Sequence, residues 1–181
     1  MSTRTRLGFD FNTCYFVTTT FREWMHLFLD ESYFHVAAES LNHCCTKYKS
    51  DVIGYVFMPS HIHLILFFNE SPACSDFMRD FKKFTSGTFR TMIDKSGNHD
   101  VLERLRYEHD KQLFKVWMTR FDAIVIQHKL VLETKMKYIH TNPVESGLVE
   151  FEEDYKWSSA RWYKEEKIES VVRLRHAWTI I

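Results

Sequence analysis

The chain has 181 residues, of which 45% are hydrophobic and 16% aromatic. This length and composition predict a single folded domain over residues 1–181 and exclude a disordered chain. Its 24 basic and 24 acidic side chains balance, so it lacks the positive excess typical of nucleic-acid-binding proteins. No apolar run approaches the roughly 20 residues that span a bilayer, and the start has no signal-peptide pattern. We therefore expect a cytoplasmic protein without a membrane partner.

The first third of the chain predicts three strands and a helix. Cys14–Thr20 is β-branched and aromatic, which favours a strand. Ser32–Lys49 carries an apolar stripe at helical spacing. Asp51–Phe57 predicts a second strand, and His61–Phe68 a third that is apolar on nearly both faces. The turn at Met58-Pro59-Ser60 makes these two strands a hairpin.

The remaining elements complete a βαββαβ order. A helix is predicted from Ser71-Pro72 to about Ile93, then a polar loop or lid over Ser96–Asp110. A strand is expected in the later half of Phe114–Ile126. The helix Lys129–His140 should end at Asn142-Pro143, because proline disfavours helical geometry in the residue before it. The predicted fold class is α+β: a ferredoxin-like antiparallel sheet with helices on one face, followed by a C-terminal helix.

Two histidines mark the start of the third strand, in His61-Ile62-His63. Residues i and i+2 of a strand point to the same face, so both imidazoles project together. Two ring nitrogens on a rigid strand form half of a metal site. The alternative is a half-exposed strand face without a metal, since short motifs of this kind recur by chance.

A tyrosine and an asparagine share one face of the late helix. Tyr138 and Asn142 are four residues apart, and the Asn142 carbonyl could turn back as a hard oxygen ligand. A phenol with a pKa near 10 is a poor nucleophile at neutral pH, but a divalent cation can stabilise the charge that develops during attack on a phosphate. The alternative is a core tyrosine with a hydrated hydroxyl.

Charge is segregated along the neutral chain. Residues 79–129 hold eleven basic and seven acidic side chains, a local charge of +4, while residues 144–170 hold four and eight, a local charge of −4. A basic face can therefore exist for DNA phosphates, although a solvated helix face is an equal alternative. Trp117 and Phe121 could stack on bases, but core packing is the favoured interpretation for both. The predicted DNA contacts are Lys82, Lys83, Arg90 and Arg120.

Taken in order, these segments resemble the single-tyrosine HUH transposases, and in particular the REP-associated tyrosine transposases. The resemblance covers residues 10–163 and leaves 164–181 as a C-terminal tail. The matching blocks are Tyr15–Thr20, Phe57–Leu64, Phe81–Ser86, Lys115–Trp117 with Arg120-Phe121, Tyr138–Val144, Gly147–Val149 and Asp154–Arg161.

The resemblance implies a site and a reaction. His61, His63 and Asn142 would bind Mg²⁺ or Mn²⁺, with Mn²⁺ better suited to two imidazoles, and Tyr138 would be the nucleophile. The activity would be cleavage and strand transfer of single-stranded or hairpin DNA through a covalent 5′-phosphotyrosine. A monomer is favoured over a helix-swapped homodimer. Two alternatives stay open: a non-catalytic nucleic-acid-binding module on the same scaffold, and a hydrolase that uses the same histidines.

Overall fold

The computed structural model describes residues 13–70, 73–109, 112–165 and 169–180, and its fold is of the mixed α+β class that the sequence predicts. The strands are β1 (Thr13–Thr20), β2 (Ser50–Met58), β3 (His61–Phe68), β4 (Arg106–His109), β5 (Gln112–Phe114) and β6 (Asp122–Ile126). The α-helices are α1 (Glu31–Tyr48), α2 (Cys74–Lys95), α3 (His99–Leu105), α4 (Lys129–Glu145) and α5 (Ala160–Lys164).

A four-stranded antiparallel sheet lies at the centre, in the order β2-β3-β1-β6, and β4 and β5 form a small separate hairpin. Strand β3 is central and buried on both faces. Ile62, Leu64 and Leu66 belong to one core, whereas Ile65 and Phe67 belong to another on the opposite face. This double burial explains why β3 is a nearly continuous apolar run rather than an alternating one.

Helices cover both faces of the sheet. Helices α1 and α2 pack together on the face that Leu64 and Leu66 point to. Helix α4 packs on the other face through Leu132 and Ile139. Because His61 and His63 have the parity of Ile65, both histidines lie on the α4 face.

Segments from the C-terminal third cover the outer edge of β2. Phe57 donates its N–H to the Trp157 carbonyl at 2.9 Å, and Arg175 donates its N–H to the Val52 carbonyl at 3.0 Å. Val172 is fully buried in the core next to α1. The predicted tail is therefore packed against the sheet over residues 169–180, where it satisfies backbone groups that an edge strand would leave open.

Two predicted boundaries are wrong. The polar segment expected to be a loop over Ser96–Asp110 contains α3, which the Asn98 side chain caps by accepting the Val101 N–H. Helix α4 does not end at Asn142 but continues to Glu145. The predicted helix start at Ser71-Pro72 lies outside the described residues. No helix within the described ranges is long and apolar enough to cross a membrane.

Candidate active site

The two histidines lie side by side at the start of β3. Their ring centroids are 4.7 Å apart. The Nδ1 atom of His63 lies 2.8 Å from the Thr18 hydroxyl, and the Nδ1 atom of His61 lies 3.0 Å from the Ser60 hydroxyl. Each ring thus uses one nitrogen to hold its orientation and keeps Nε2 for another partner.

Both imidazoles are neutral at physiological pH. Burial lowers the pKa of His61, and it lowers the pKa of His63 to about 3, with further contributions from the nearby His61 and Lys135. A neutral imidazole carries the lone pair that a metal ion needs, whereas an imidazolium does not. The pair is therefore in the protonation state that suits metal binding.

Tyr138 reaches this pair from α4, although it is 75 residues away in the chain from His63. Its hydroxyl lies 3.5 Å from Nε2 of His63, and the two ring centroids are 5.1 Å apart at 69°. The ring also packs edge-on against Phe16, and the Lys135 ammonium lies 5.8 Å from its centroid. The side chain remains 41% exposed, so the phenol is both held in place and open to a substrate.

Asn142 lies one helical turn after Tyr138 and is buried, with 8% of its surface exposed. It stays inside the helix, where its backbone carbonyl accepts the Ser146 N–H at 3.0 Å. Within the described part of the chain, neither histidine ring hydrogen-bonds to its side-chain amide. The structure therefore brings Tyr138 into contact with His63, whose ring lies against His61. Asn142 lies on the same helix as Tyr138 but forms no such hydrogen bond.

These residues fit a cation with oxygen and nitrogen ligands. The donors are two neutral imidazoles and one buried amide, a set that suits Mn²⁺ and tolerates Mg²⁺. Among the residues that the structure describes, no three His, Cys, Asp or Glu side chains gather into a metal site. The ligand set of His61, His63 and Asn142 stays a prediction.

The sequence analysis did not identify the residues that hold α4 against the sheet. His140 Nε2 lies 2.9 Å from the Ser159 hydroxyl, and Ser159 also binds the backbone of Tyr55 in β2. A Cβ added at Gly54 would lie 2.7 Å from the Met136 sulfur, so glycine permits the close approach of α4. Sequence spacing alone gives no signal for either contact, because both join segments that are distant in the chain.

The predicted DNA contacts differ in what their side chains do. The Lys82 ammonium donates to the Met118 carbonyl at 2.6 Å and to the Thr119 carbonyl at 3.3 Å. Burial lowers the pKa of Lys82 to about 8, as does the neighbouring charge of Lys115. Lys82 therefore holds the loop at Met118 and Thr119, and its phosphate contact stays a prediction.

The other predicted contacts are exposed. Lys83 lies on α2, and Arg120 lies in the loop before β6. Arg90 is exposed too, but its guanidinium lies over the Phe114 ring, 4.2 Å from the centroid. All of the basic residues on α2 stand on the sheet face opposite the histidines, so DNA that touches them and the site must pass around the sheet.

Trp117 serves the core rather than a base. Its ring is buried and stacks on Phe21 with centroids 4.1 Å apart, and its indole N–H donates to the Thr85 hydroxyl at 2.9 Å. Phe121 is partly buried, with the Lys82 ammonium 5.9 Å from its centroid. The core-packing interpretation is therefore correct for Trp117.

Comparison with known proteins gives consistent matches. A family model for IS200-like transposases matches residues 15–142. The chain is 23% identical over 145 residues to a Haemophilus influenzae protein named as a REP-associated tyrosine transposase, which covers 80% of this chain and 78% of the relative. A solved REP-associated tyrosine transposase bound to a REP hairpin superposes with a TM-score of 0.67, covering 93% of this chain and 89% of that chain at 18% identity. This last likeness concerns the fold.

Proposed function

The chain belongs to the family of IS200-like transposases, and we propose from this that it cuts and rejoins single-stranded DNA with Tyr138 as nucleophile. One observation carries the proposal: the Tyr138 hydroxyl stands 3.5 Å from Nε2 of His63. Here a partly exposed phenol meets a neutral histidine pair, and the two groups come from elements that are distant in the chain. Phosphoryl transfer to tyrosine requires such an arrangement.

The reaction conserves the energy of the DNA backbone. The phenolic oxygen of Tyr138 gives up its proton to solvent and attacks the phosphorus, so a bond to the 5′-phosphate forms while the bond to the neighbouring 3′-oxygen breaks. The leaving oxygen takes up a proton and becomes a 3′-hydroxyl. Attack by a 3′-hydroxyl on the phosphotyrosine reverses both changes, rejoins DNA and frees Tyr138.

Three side chains are proposed as metal ligands. A divalent cation held by His61, His63 and Asn142, either Mg²⁺ or Mn²⁺, would polarise the scissile phosphate and stabilise the developing charge. Burial keeps the two imidazoles neutral, and their hydroxyl partners hold their orientation. The buried position of Asn142 supports its place in this set.

The proposed substrate is a DNA hairpin with single-stranded flanks. The REP hairpin bound by the solved transposase of the same fold supports this choice. The exposed Lys83, Arg90 and Arg120 supply positive charge for phosphates. The strand order, with α1 and α2 on one face, supports a ferredoxin-like scaffold. The two-residue connection between β6 and α4, residues 127–128, supports a monomer in which Tyr138 acts with its own chain's histidines.

The test is capture of the covalent intermediate. A DNA hairpin selected by binding from a pool with randomised flanks is incubated with the full chain and Mn²⁺, and the mixture is resolved under denaturing conditions. We expect a protein–DNA adduct that Tyr138→Phe abolishes and a chelator prevents. Tyr48→Phe is the matched control, because its hydroxyl binds Asp80 on the other face of the sheet, and it should form the adduct normally.

The other outcomes identify the alternatives. Binding of the selected hairpin without an adduct would mean a non-catalytic nucleic-acid-binding module. A cut without an adduct, unaffected by Tyr138→Phe, would mean metal-dependent hydrolysis by the histidine site.

A further inference from the structure

A solvent-exposed tryptophan stands beside the histidine pair. Trp24 follows β1, and 60% of its surface is exposed. Its ring packs edge-on against His61, with centroids 5.9 Å apart and 72° between the planes. Leaving so large an apolar side chain in water gives up the free energy that its burial would provide. What distinguishes Trp24 from other exposed aromatic residues is its contact with His61, a proposed metal ligand.

The backbone at Trp24 has a conformation that L-residues rarely adopt. The φ angle is 55° at Glu23 and 56° at Trp24, both in the left-handed region that favours glycine. Neither residue is a glycine or an asparagine. Such strain persists only where the surroundings impose it, and it is concentrated at functional sites.

The turn around Trp24 is fastened to the residues that precede His61. Phe21 donates its N–H to the Ser60 carbonyl at 2.9 Å, and Leu27 donates its N–H to the Pro59 carbonyl at 3.2 Å. Phe21 and Leu27 are fully buried, so the turn is held from both ends. Trp24 and His61 thus belong to one rigid unit, and the indole is presented at a fixed place beside the imidazole.

We propose that the Trp24 indole is a stacking platform for a base of single-stranded DNA, next to the phosphate that is cut. The inference rests on the proposed function, because it takes the phosphate to lie at His61. Aromatic side chains bind single strands in this way because every base has a π face. Since stacking tolerates any base, Trp24 fixes the position of the strand without reading its sequence.

The test is a double-mutant cycle of binding affinities, which combines protein variants with modified DNA probes. All proteins are the full chain carrying Tyr138→Phe, which leaves the DNA uncut. The probe is the selected hairpin, with one flank nucleotide at a time replaced by an abasic one. Trp24→Leu should weaken binding of the intact probe about 5- to 150-fold, which corresponds to about 1–3 kcal/mol for one stacked base. At one abasic position the parent should lose the same factor, and Trp24→Leu should then cost nothing more.

Two further variants sharpen the result. Trp24→Phe keeps an aromatic face and should lose less than Trp24→Leu. Trp178→Leu removes a tryptophan of similar exposure, 57%, that packs beside Lys129 and His176, and it should bind as the parent does.

Two results would overturn the proposal. One is parent-like binding by Trp24→Leu; the other is a loss that persists at every abasic position, as expected if the indole contacts something other than a base. The readout is binding, so absence of an adduct with Tyr138 would overturn the proposed reaction while leaving this cycle interpretable.

Discussion

Two hydroxyl groups determine how the imidazoles point. Thr18 lies directly opposite His63 in the β1–β3 pairing, and its hydroxyl is 2.8 Å from Nδ1 of that ring. Ser60 holds His61 in the same way at 3.0 Å. A partner on the non-ligating nitrogen fixes the tautomer and raises the basicity of a metal-binding histidine.

Thr18→Val should therefore weaken the proposed metal binding while preserving the fold. Loss of such a partner lowers metal affinity by about 10- to 100-fold, and valine keeps the shape of the threonine side chain. Isothermal titration calorimetry with Mn²⁺ measures the change in affinity. Thr91→Val is the control, because that hydroxyl binds its own helix at the Gly87 carbonyl. Equal Mn²⁺ affinity in Thr18→Val and the parent would remove Thr18 from the site.

At the residue scale, the sequence predicts which side chains form the candidate site better than it predicts their hydrogen-bond partners. The shared face of His61 and His63 follows from the two-residue period of a strand. Thr18 could not be identified, because its position depends on the register between β1 and β3. The bonds of Lys82 could not be predicted for a similar reason: a lysine on a helix face has the same sequence pattern whether its ammonium contacts water or the Met118 carbonyl.

Helix α4 carries Tyr138, the proposed nucleophile, and Gly54 in β2 leaves room for the Met136 side chain of this helix. A Cβ at Gly54 would lie 2.7 Å from Sδ and 3.3 Å from Cε of Met136. Both atoms belong to the flexible end of the Met136 side chain, so Gly54→Ala should be accommodated by a new Met136 rotamer at a cost of about 1 kcal/mol of stability. Adduct formation should slow only slightly, because Tyr138 need not move. Urea unfolding and the adduct rate measure the two effects.

Two companion variants test this interpretation of Gly54. Adding Met136→Ala to Gly54→Ala should restore part of the loss, because it removes the colliding atoms. Gly87→Ala in α2 should instead stabilise the protein by about 0.5–1 kcal/mol, since nothing lies within 4 Å of a Cβ built there. A much larger loss of stability, or a strongly reduced adduct rate, would show instead that α4 itself is displaced.

The misplaced end of α4 has a local cause. Pro143 lacks only the N–H that would bind the Ile139 carbonyl, and it lies in the last turn, where few bonds can be lost. The helix then closes in a Schellman motif: Gly147, with φ of 69°, donates its N–H to the Val144 carbonyl, and Leu148 donates to the Pro143 carbonyl. The helix is therefore ended by Gly147 and not by Pro143.

The missed helix α3 shows a different limit. Charged residues dominate that segment, so it reads as a solvated loop. Its apolar residues are Val101, Leu102 and Leu105, of which only Leu105 is fully buried. Three residues within a seven-residue segment are too few to establish a helical periodicity. By contrast, β3 and α2 were predicted correctly in type because each carries a long apolar pattern that tertiary contacts reinforce.

At the scale of the whole molecule, two histidines, His63 and His140, are buried in their uncharged form. Burial lowers the pKa of His63 to about 3 and that of His140 to about 4, from 6.5. Below pH 6.5 the unfolded chain binds protons that the folded chain excludes, so stability is full above pH 6.5 and is lost as the pH falls toward these lower values.

The metal-free protein should accordingly lose stability in acid with a slope of up to about 1.4 kcal/mol per pH unit for each such histidine. Urea unfolding at a series of pH values, with a chelator present, measures the slope. His140→Gln keeps a side chain able to bind Ser159 and should reduce the slope by one proton. A pH-independent free energy of unfolding between pH 6.5 and 4 would contradict the burial of neutral imidazoles.

The covering of β2 has a consequence for biosynthesis. The β2–β3 hairpin, which carries the two histidines, leaves the ribosome early. Residues 169–180 complete the hydrogen bonding at the outer edge of β2, and they are translated long afterwards. During that interval the nascent sheet presents open main-chain groups that a second nascent strand can pair with. Crowded polysomes would therefore be the place where this protein is most prone to self-association, and translation rate would influence how much of it reaches the native state.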